Sequence, residues 1–132
     1  MMKPLKILMA DDDPEDRLIF KEAIEQSGAD DGVFFAEDGV DALETLNRCY
    51  QQGHVPGLIV LDLNMPKLNG RQTLQQLKSD ERFKNIPVVI YSTSINPMER
   101  EKCMSLGAHS YVTKPLSFEE SLKTAKNFLQ FC

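Results

Sequence analysis

The chain has 132 residues, of which 42% are hydrophobic and 27% charged, and its formal net charge at pH 7 is −5. This length and composition are typical of one globular domain, so we expect a single domain over residues 1–132 and exclude a disordered chain. The acidic balance argues against a nucleic-acid partner, which requires a basic face, and no apolar run approaches the roughly 20 residues that span a membrane.

The first half of the chain alternates short apolar runs with helical patterns. Strands are predicted over about residues 5–10, 33–37 and 58–61. Helix 1 is expected to begin after Asp13 as N-cap, with Pro14 in the first helical position. The residues expected to face the core are Leu18, Ile19, Ala23 and Ile24 in helix 1 and Val40, Leu43 and Leu46 in helix 2.

The second half completes a (βα)5 order, which predicts a parallel sheet with helices on both faces. Strand 4 is expected over about residues 86–91 and strand 5 over 109–113. Helices 3, 4 and 5 each begin with a capping pattern. These patterns are Asn69 with Gln72, Asn96 with Pro97 and Glu99, and Ser117 with Glu120. The predicted inward-facing residues are Leu74 and Leu77 in helix 3 and Phe118, Leu122, Ala125 and Leu129 in helix 5.

The three cysteines, Cys49, Cys103 and Cys132, are odd in number and far apart. They form no CxxC pair, so a zinc site is not expected. The first residues lead into an apolar run that is too short for the core of a signal peptide. We therefore predict reduced thiols in a cytoplasmic protein.

Polar residues follow four of the five predicted strands. Asp11 and Asp12 follow strand 1, and Asp62, Ser92 and Lys114 follow strands 3, 4 and 5. Taken singly, each has an ordinary explanation as a helix-start acid, a turn residue or a surface lysine. However, parallel strands end at one edge of a sheet, where α/β folds place their ligands. Clustered carboxylates repel one another unless a cation joins them, so the pattern predicts a site for Mg²⁺ and a phosphoryl group.

The chemistry expected at this edge is phosphoryl transfer. A carboxylate such as Asp62 can act as a nucleophile and form an aspartyl phosphate. The transfer needs in-line positioning, a metal ion and positive charge on the phosphoryl oxygens. Lys114 would supply that charge, and the Ser92 hydroxyl would donate a hydrogen bond to a phosphoryl oxygen.

These residues make the chain similar to a known family: it resembles the receiver domain of bacterial two-component response regulators over nearly its whole length. The pair Asp11-Asp12 matches the metal-binding acids of that family, and the Leu-Asp-Leu-Asn-Met-Pro run at 61–66 matches its phosphoacceptor motif. Ser92 is similar to the switch hydroxyl and Tyr111 to the switch aromatic. Lys114-Pro115 matches the family's Lys-Pro pair, whose peptide bond is often cis.

The resemblance implies an α/β, flavodoxin-like, doubly wound sheet of five parallel strands in the order 2-1-3-4-5. It implies a signalling switch, not an enzyme, that receives a phosphoryl group on Asp62 from a sensor histidine kinase or a histidine phosphotransfer protein. Mg²⁺ would be held by Asp11, Asp12, Asp62 and the backbone carbonyl of Asn64, with Asp12 a direct ligand and Asp11 acting mainly through water. The stretch from Asp62 to Gly70 and the aromatic tail at 128–131 are similar to receivers paired with bacterial phytochromes.

The switch is expected to be read at the face made by helix 4, strand 5 and helix 5. Contact of Ser92 and Lys114 with the phosphoryl group would change the rotamer of Tyr111 and so alter this face. If Phe128 and Phe131 extend the face as an exposed apolar patch, it is a candidate for homodimer contact. The alternative is that these two rings fold back onto helix 5.

Three other interpretations remain open. A haloacid-dehalogenase-like phosphatase also uses a nucleophilic aspartate, but it needs an acid two residues on, where this chain has Asn64. A flavodoxin-like FMN protein would bind phosphate in the first loop, where the acids at 11–13 would repel it. A degenerate receiver could act only as an interaction module, although the complete set of site residues argues against this.

Overall fold

A computed structural model of the chain describes residues 6–28, 32–94 and 96–131. The strands are β1 Ile7–Ala10, β2 Val33–Ala36, β3 Leu58–Leu61, β4 Val88–Ser92 and β5 Ser110–Thr113. The helices are α1 Pro14–Gln26, α2 Gly39–Gln51, α3 Gly70–Lys78, α4 Pro97–Ser105 and α5 Phe118–Leu129. The predicted (βα)5 order is therefore confirmed, with strand limits within two residues of those expected. The first predicted strand residue, Leu5, and the thiol of Cys132 lie outside the described residues.

All five strands are parallel and lie in the order β2-β1-β3-β4-β5, which confirms the predicted topology. Ala10 at the end of β1 pairs with Leu61 at the end of β3. Ser92 at the end of β4 pairs with Thr113 at the end of β5. This register brings the residues that follow β1, β3 and β5 to the same edge of the sheet.

The three central strands, β1, β3 and β4, are buried on both faces, as expected for parallel strands covered by helices, whereas the edge strands β2 and β5 are partly exposed. Successive strand residues point to opposite faces, so the apolar runs divide between two cores. Leu8 and Ile59 belong to the core under α2, α3 and α4, whereas Ile7 and Val60 belong to the core under α1 and α5. Cys49 and Cys103 are free thiols, in agreement with the prediction of reduced cysteines, and both are buried.

The helix starts follow the predicted caps. The Asp13 side chain accepts a hydrogen bond from the Glu15 amide at 2.9 Å, with Pro14 in the first turn. Asn69 and Gln72 form both bonds of a capping box at the start of α3. At the starts of α4 and α5, the side chains of Asn96 and Ser117 accept hydrogen bonds from the amides of Met98 and Glu120, so Ser117 supplies one of the two bonds of a capping box and Asn96 caps α4 at its second residue.

The predicted core-facing residues are wrong at four positions, where Leu18, Ile19, Val40 and Phe118 are exposed. In α1 the buried stripe starts at Phe20, and Leu18 lies two residues before it, about 200° around the helix. Val40 likewise lies two residues before the buried Ala42 of α2, on the opposite side of the helix. Each helix carries apolar residues on more than one face, and only the face against the sheet is buried. Phe118 begins α5, before the first buried residue of that helix.

Of the two alternatives for the terminal aromatic residues, an exposed patch or packing back against the domain, the structure shows packing against the domain. Phe128 is only 3% exposed, and its ring lies 6.0 Å from that of Phe20 and 5.7 Å from that of Tyr91, measured between centroids. Phe131 is half-buried and packs edge-on against His109 at 4.8 Å. Phe128 therefore belongs to the core beneath α1 and α5, and a homodimer contact through the face of α4, β5 and α5 stays a prediction without this extension.

Candidate functional site

A lysine surrounded by carboxylates occupies the carboxyl edge of the sheet. The Lys114 Nζ lies 2.8 Å from Asp11 Oδ2, 2.7 Å from Asp16 Oδ2 and 3.7 Å from Asp62 Oδ2. The side chain of Lys114 is only 10% exposed, that of Asp11 is fully buried and that of Asp62 is 8% exposed. The structure therefore brings together residues that lie after β1, β3 and β5, as expected from the parallel register.

The three predicted metal-binding acids also converge. Asp11, Asp12 and Asp62 each offer a carboxylate oxygen, and these oxygens lie within 4.8 Å of one another. Asp12 is exposed, so the cluster is open to solvent on that side. Mg²⁺ prefers oxygen ligands and retains several waters, so a carboxylate cluster with one open side fits it. The backbone of Asn64 opposes the rise in the pKa of Asp62, whereas the Asn64 carbonyl as a metal ligand stays a prediction.

The electrostatics of the cluster are unfavourable for its anions when no cation is bound. Burial raises the pKa of Asp62 to about 6, against the opposing effect of Lys114, and the charge of Asp11 raises it further. Burial likewise raises the pKa of Asp11, although hydrogen bonds from Lys114 and the Asp13 amide oppose the change. Burial disfavours the Lys114 ammonium, but its hydrogen bonds to Asp11 and Asp16 outweigh that effect and raise its pKa. A divalent cation would relieve the repulsion among the carboxylates.

Ser92 and Tyr111 are connected through a third residue that sequence reasoning missed. The buried Ser92 Oγ accepts a hydrogen bond from the Ser94 amide at 3.1 Å. The Tyr111 hydroxyl donates to the Ser94 carbonyl at 2.9 Å. A short hydrogen-bonded path therefore runs from the sheet edge to the half-buried ring of Tyr111, and a movement of Ser92 would disturb it.

Two further residues support the site without having been predicted. Asp16 pairs with Lys114, as described above, and the Arg17 guanidinium donates to the Asp11 carbonyl at 2.6 Å. Both lie in α1, where the sequence predicts only a helix cap.

The Lys114–Pro115 peptide bond is trans, whereas it is often cis in the family that the sequence resembles.

Comparison with known proteins places this geometry in one family. The model of the response regulator receiver domain matches residues 7–126. The probable methanogenesis regulatory protein FilR2 of Methanothrix harundinacea is 32% identical over 130 residues, which is 97% of this chain and 83% of that protein. In the described part of the chain, no helix has both the length and the apolar character needed to cross a bilayer.

Solved structures agree with this comparison. The phosphorylated cyanobacterial phytochrome response regulator RcpA superposes with a TM-score of 0.86 at 34% identity, covering 98% of this chain and 94% of that one. The Mn²⁺-bound form of the response regulator Rcp1 superposes with a TM-score of 0.83 at 31% identity, covering 97% of this chain and 94% of that one. The chain belongs to the response regulator receiver domain family.

Proposed function

We propose that this chain is a Mg²⁺-dependent phosphorylation switch, one receiver domain over its whole length, with Asp62 as the phosphoacceptor. The observation that carries the proposal is the position of Asp62. Its nearly buried carboxylate lies 3.7 Å from the Lys114 ammonium and belongs to a cluster of three acids. This arrangement combines a nucleophile, a cation-binding set and a fixed positive charge, which are the parts that phosphoryl transfer requires.

In the proposed step, an Asp62 oxygen attacks the phosphorus of a phosphohistidine. A new O–P bond forms as the P–N bond breaks, and the electron pair passes to the imidazole nitrogen of the donor, which takes up a proton. Lys114 would stabilise the charge on the phosphoryl oxygens, and the Ser92 hydroxyl would rotate to donate to one of them.

The metal ion would be held by Asp11, Asp12, Asp62 and the Asn64 carbonyl. When bound, Mg²⁺ supplies charge neutralisation for the carboxylates and for the phosphoryl oxygens. The acids of this chain contribute the binding site, and the exposed position of Asp12 leaves one side open to the incoming phosphoryl donor.

The donor is proposed to be a sensor histidine kinase or a histidine phosphotransfer protein, and the output a protein contact made by the phosphorylated chain. The similarity to RcpA, a phytochrome response regulator, supports a photoreceptor kinase as the first donor to test. The same comparison supports a switch, which changes state once per phosphorylation, and not an enzyme that turns over a metabolite.

The assignment of Asp62 is tested by intact-protein mass after incubation with acetyl phosphate and Mg²⁺. Wild type is expected to gain one phosphoryl group and Asp62→Asn none, because asparagine lacks the nucleophilic oxygen anion. Asp13→Asn is the matched control, since it removes an acid at the same edge but leaves an equally good N-cap. Labelling of Asp62→Asn at the wild-type level would refute the assignment.

Phosphorylation is expected to reach Tyr111 through Ser94. Tyr111→Phe removes the hydrogen bond to the Ser94 carbonyl, so it should weaken the unphosphorylated position of the ring by ~1 kcal/mol, or about fivefold in population. The change in the position of the Tyr111 ring is measured by chemical-shift mapping with and without beryllofluoride, a mimic of the phosphoryl group. In wild type the changes should extend along β5 and α4, and Tyr111→Phe should already show part of them without the mimic. Changes confined to the acid cluster would contradict the switch.

A further inference from the structure

Asp16 makes the shortest of the ion-pair contacts around Lys114, although no sequence pattern pointed to it. It lies in the first turn of α1, and its Oδ2 is 2.7 Å from the Lys114 Nζ. The Asp16 side chain is 32% exposed, whereas that of Lys114 is 10% exposed. The contact therefore connects α1 to the loop after β5 at the rim of the phosphorylation site.

Asp16 differs from the other partners of Lys114 because it lies outside the cation-binding cluster. That cluster consists of Asp11, Asp12 and Asp62. The Asp11 Oδ1 accepts from the Asp13 amide, and the other oxygen, Oδ2, pairs with Lys114. A cation and the ammonium would therefore compete for the Asp11 carboxylate. Asp16 is the close partner of Lys114 that does not belong to the cluster.

The hydrogen-bonding capacity of the Lys114 ammonium also supports a role for Asp16. A lysine ammonium has three N–H donors. Asp11 and Asp16 accept two of them at 2.8 and 2.7 Å, while Asp62 Oδ2 at 3.7 Å is too far for a hydrogen bond. One donor is thus left for an oxygen on the Asp62 side, where a phosphoryl group would be attached.

From this geometry we infer that Asp16 is a positioning residue that holds the Lys114 ammonium at the site when a divalent cation occupies Asp11, Asp12 and Asp62. The inference rests on the proposed function, since it assigns Asp16 a part in phosphoryl transfer to Asp62. Asp16 does not touch the reacting atoms, and it acts through Lys114 alone.

A purely structural role for Asp16 predicts a different outcome. Acids in the first turn of a helix stabilise it by interaction with the helix dipole. Glu15 is a matched control, because it lies in the same first turn, is exposed and forms no ion pair with any residue that the structure describes. Glu15→Gln and Asp16→Asn remove the same charge from the same turn, but only the second removes a partner of Lys114.

The first experiment measures the rate of phosphorylation of the full chain by acetyl phosphate at saturating Mg²⁺. Asp16→Asn is expected to lower this rate about tenfold, since small displacements of a catalytic group are costly, and Glu15→Gln should stay within about twofold of wild type. In a Lys114→Met background, adding Asp16→Asn should cause no further loss. Equal effects of the two single variants, or an undiminished effect without Lys114, would overturn the inference.

The second experiment does not depend on phosphorylation. The Lys114 side-chain ammonium is followed by ¹H–¹⁵N NMR with saturating Mg²⁺ in the absence of any phosphoryl donor. Its signal should be retained by slow hydrogen exchange in wild type and Glu15→Gln and lost in Asp16→Asn. If this pattern holds while wild type accepts no phosphoryl group, the proposed function fails and the placement of Lys114 by Asp16 stands. If the signal is the same in all three proteins, the inference is overturned whether or not Asp62 is phosphorylated.

Discussion

Asp62→Asn is expected to make the metal-free protein more stable at pH 7.5, by about 2–3 kcal/mol in the free energy of unfolding. Burial raises the pKa of Asp62 from 3.8 to about 6. Above pH 6 the folded wild type must therefore keep a buried carboxylate ionised beside Asp11, whose carboxyl is also buried. Asparagine fills nearly the same space without the charge, so this cost disappears.

The pH dependence of this difference follows from the direction of the pKa shift. The folded protein binds the Asp62 proton more tightly than the unfolded chain does. The wild-type stability contributed by this proton is therefore complete below the unfolded pKa, near 4, and is lost as the pH rises to about 6. The advantage of Asp62→Asn should be small at pH 4 and should appear between pH 4 and pH 6.

Urea unfolding in EDTA between pH 4 and pH 8 measures this difference, with Asp13→Asn as the control for removal of an exposed acid. Added Mg²⁺ should reduce or reverse the advantage at pH 7.5, since a ligand at about 100 times its dissociation constant stabilises by about 2.7 kcal/mol and should bind wild type better. A variant that is less stable than wild type by the same amount at every pH would show that the buried charge does not strain the fold.

The placement of the predicted site residues depended on a rule that holds along the whole sheet. Short apolar runs indicated strands, and parallel strands end at one edge. Asp11, Asp62 and Lys114 each directly follow a strand, so their convergence required only the strand order to be known. The resemblance to receiver domains supplied that order, which periodicity alone does not determine.

The residues that were missed depend on contacts between distant parts of the chain. Asp16 and Lys114 are 98 positions apart, and an acid in the first turn of a helix is common without any partner. Ser94 makes its contacts through its backbone amide and carbonyl, which every residue except proline has, so its residue type does not predict them. Leu18 has the same apolar character as the buried residues of α1, and only the direction in which the helix meets the sheet distinguishes it from them.

Gly70→Ala is expected to destabilise the protein by about 1–3 kcal/mol, the usual range for overpacking. A Cβ at Gly70, the first residue of α3, would overlap with the Asp62 carbonyl oxygen and lie 2.9 Å from the Leu63 Cα. Both neighbours are backbone atoms, and the Gly70 amide donates to the Leu63 carbonyl at 3.0 Å. The clash can therefore be relieved only by moving α3 away from the segment that carries Asp62.

The same displacement should slow phosphorylation, because a shift of about 1 Å in a reacting group can cost up to 100-fold in rate. Urea unfolding and acetyl phosphate labelling measure the two effects. Gln76→Ala is the control, since it introduces the same residue at an exposed position of α3 and should leave both quantities near wild type. Alanine is intrinsically a better helix former than glycine by about 1 kcal/mol, so propensity alone predicts that Gly70→Ala stabilises the protein. A stabilised variant that is labelled at the wild-type rate would therefore mean that the close contact between α3 and the Asp62 backbone does not constrain the site.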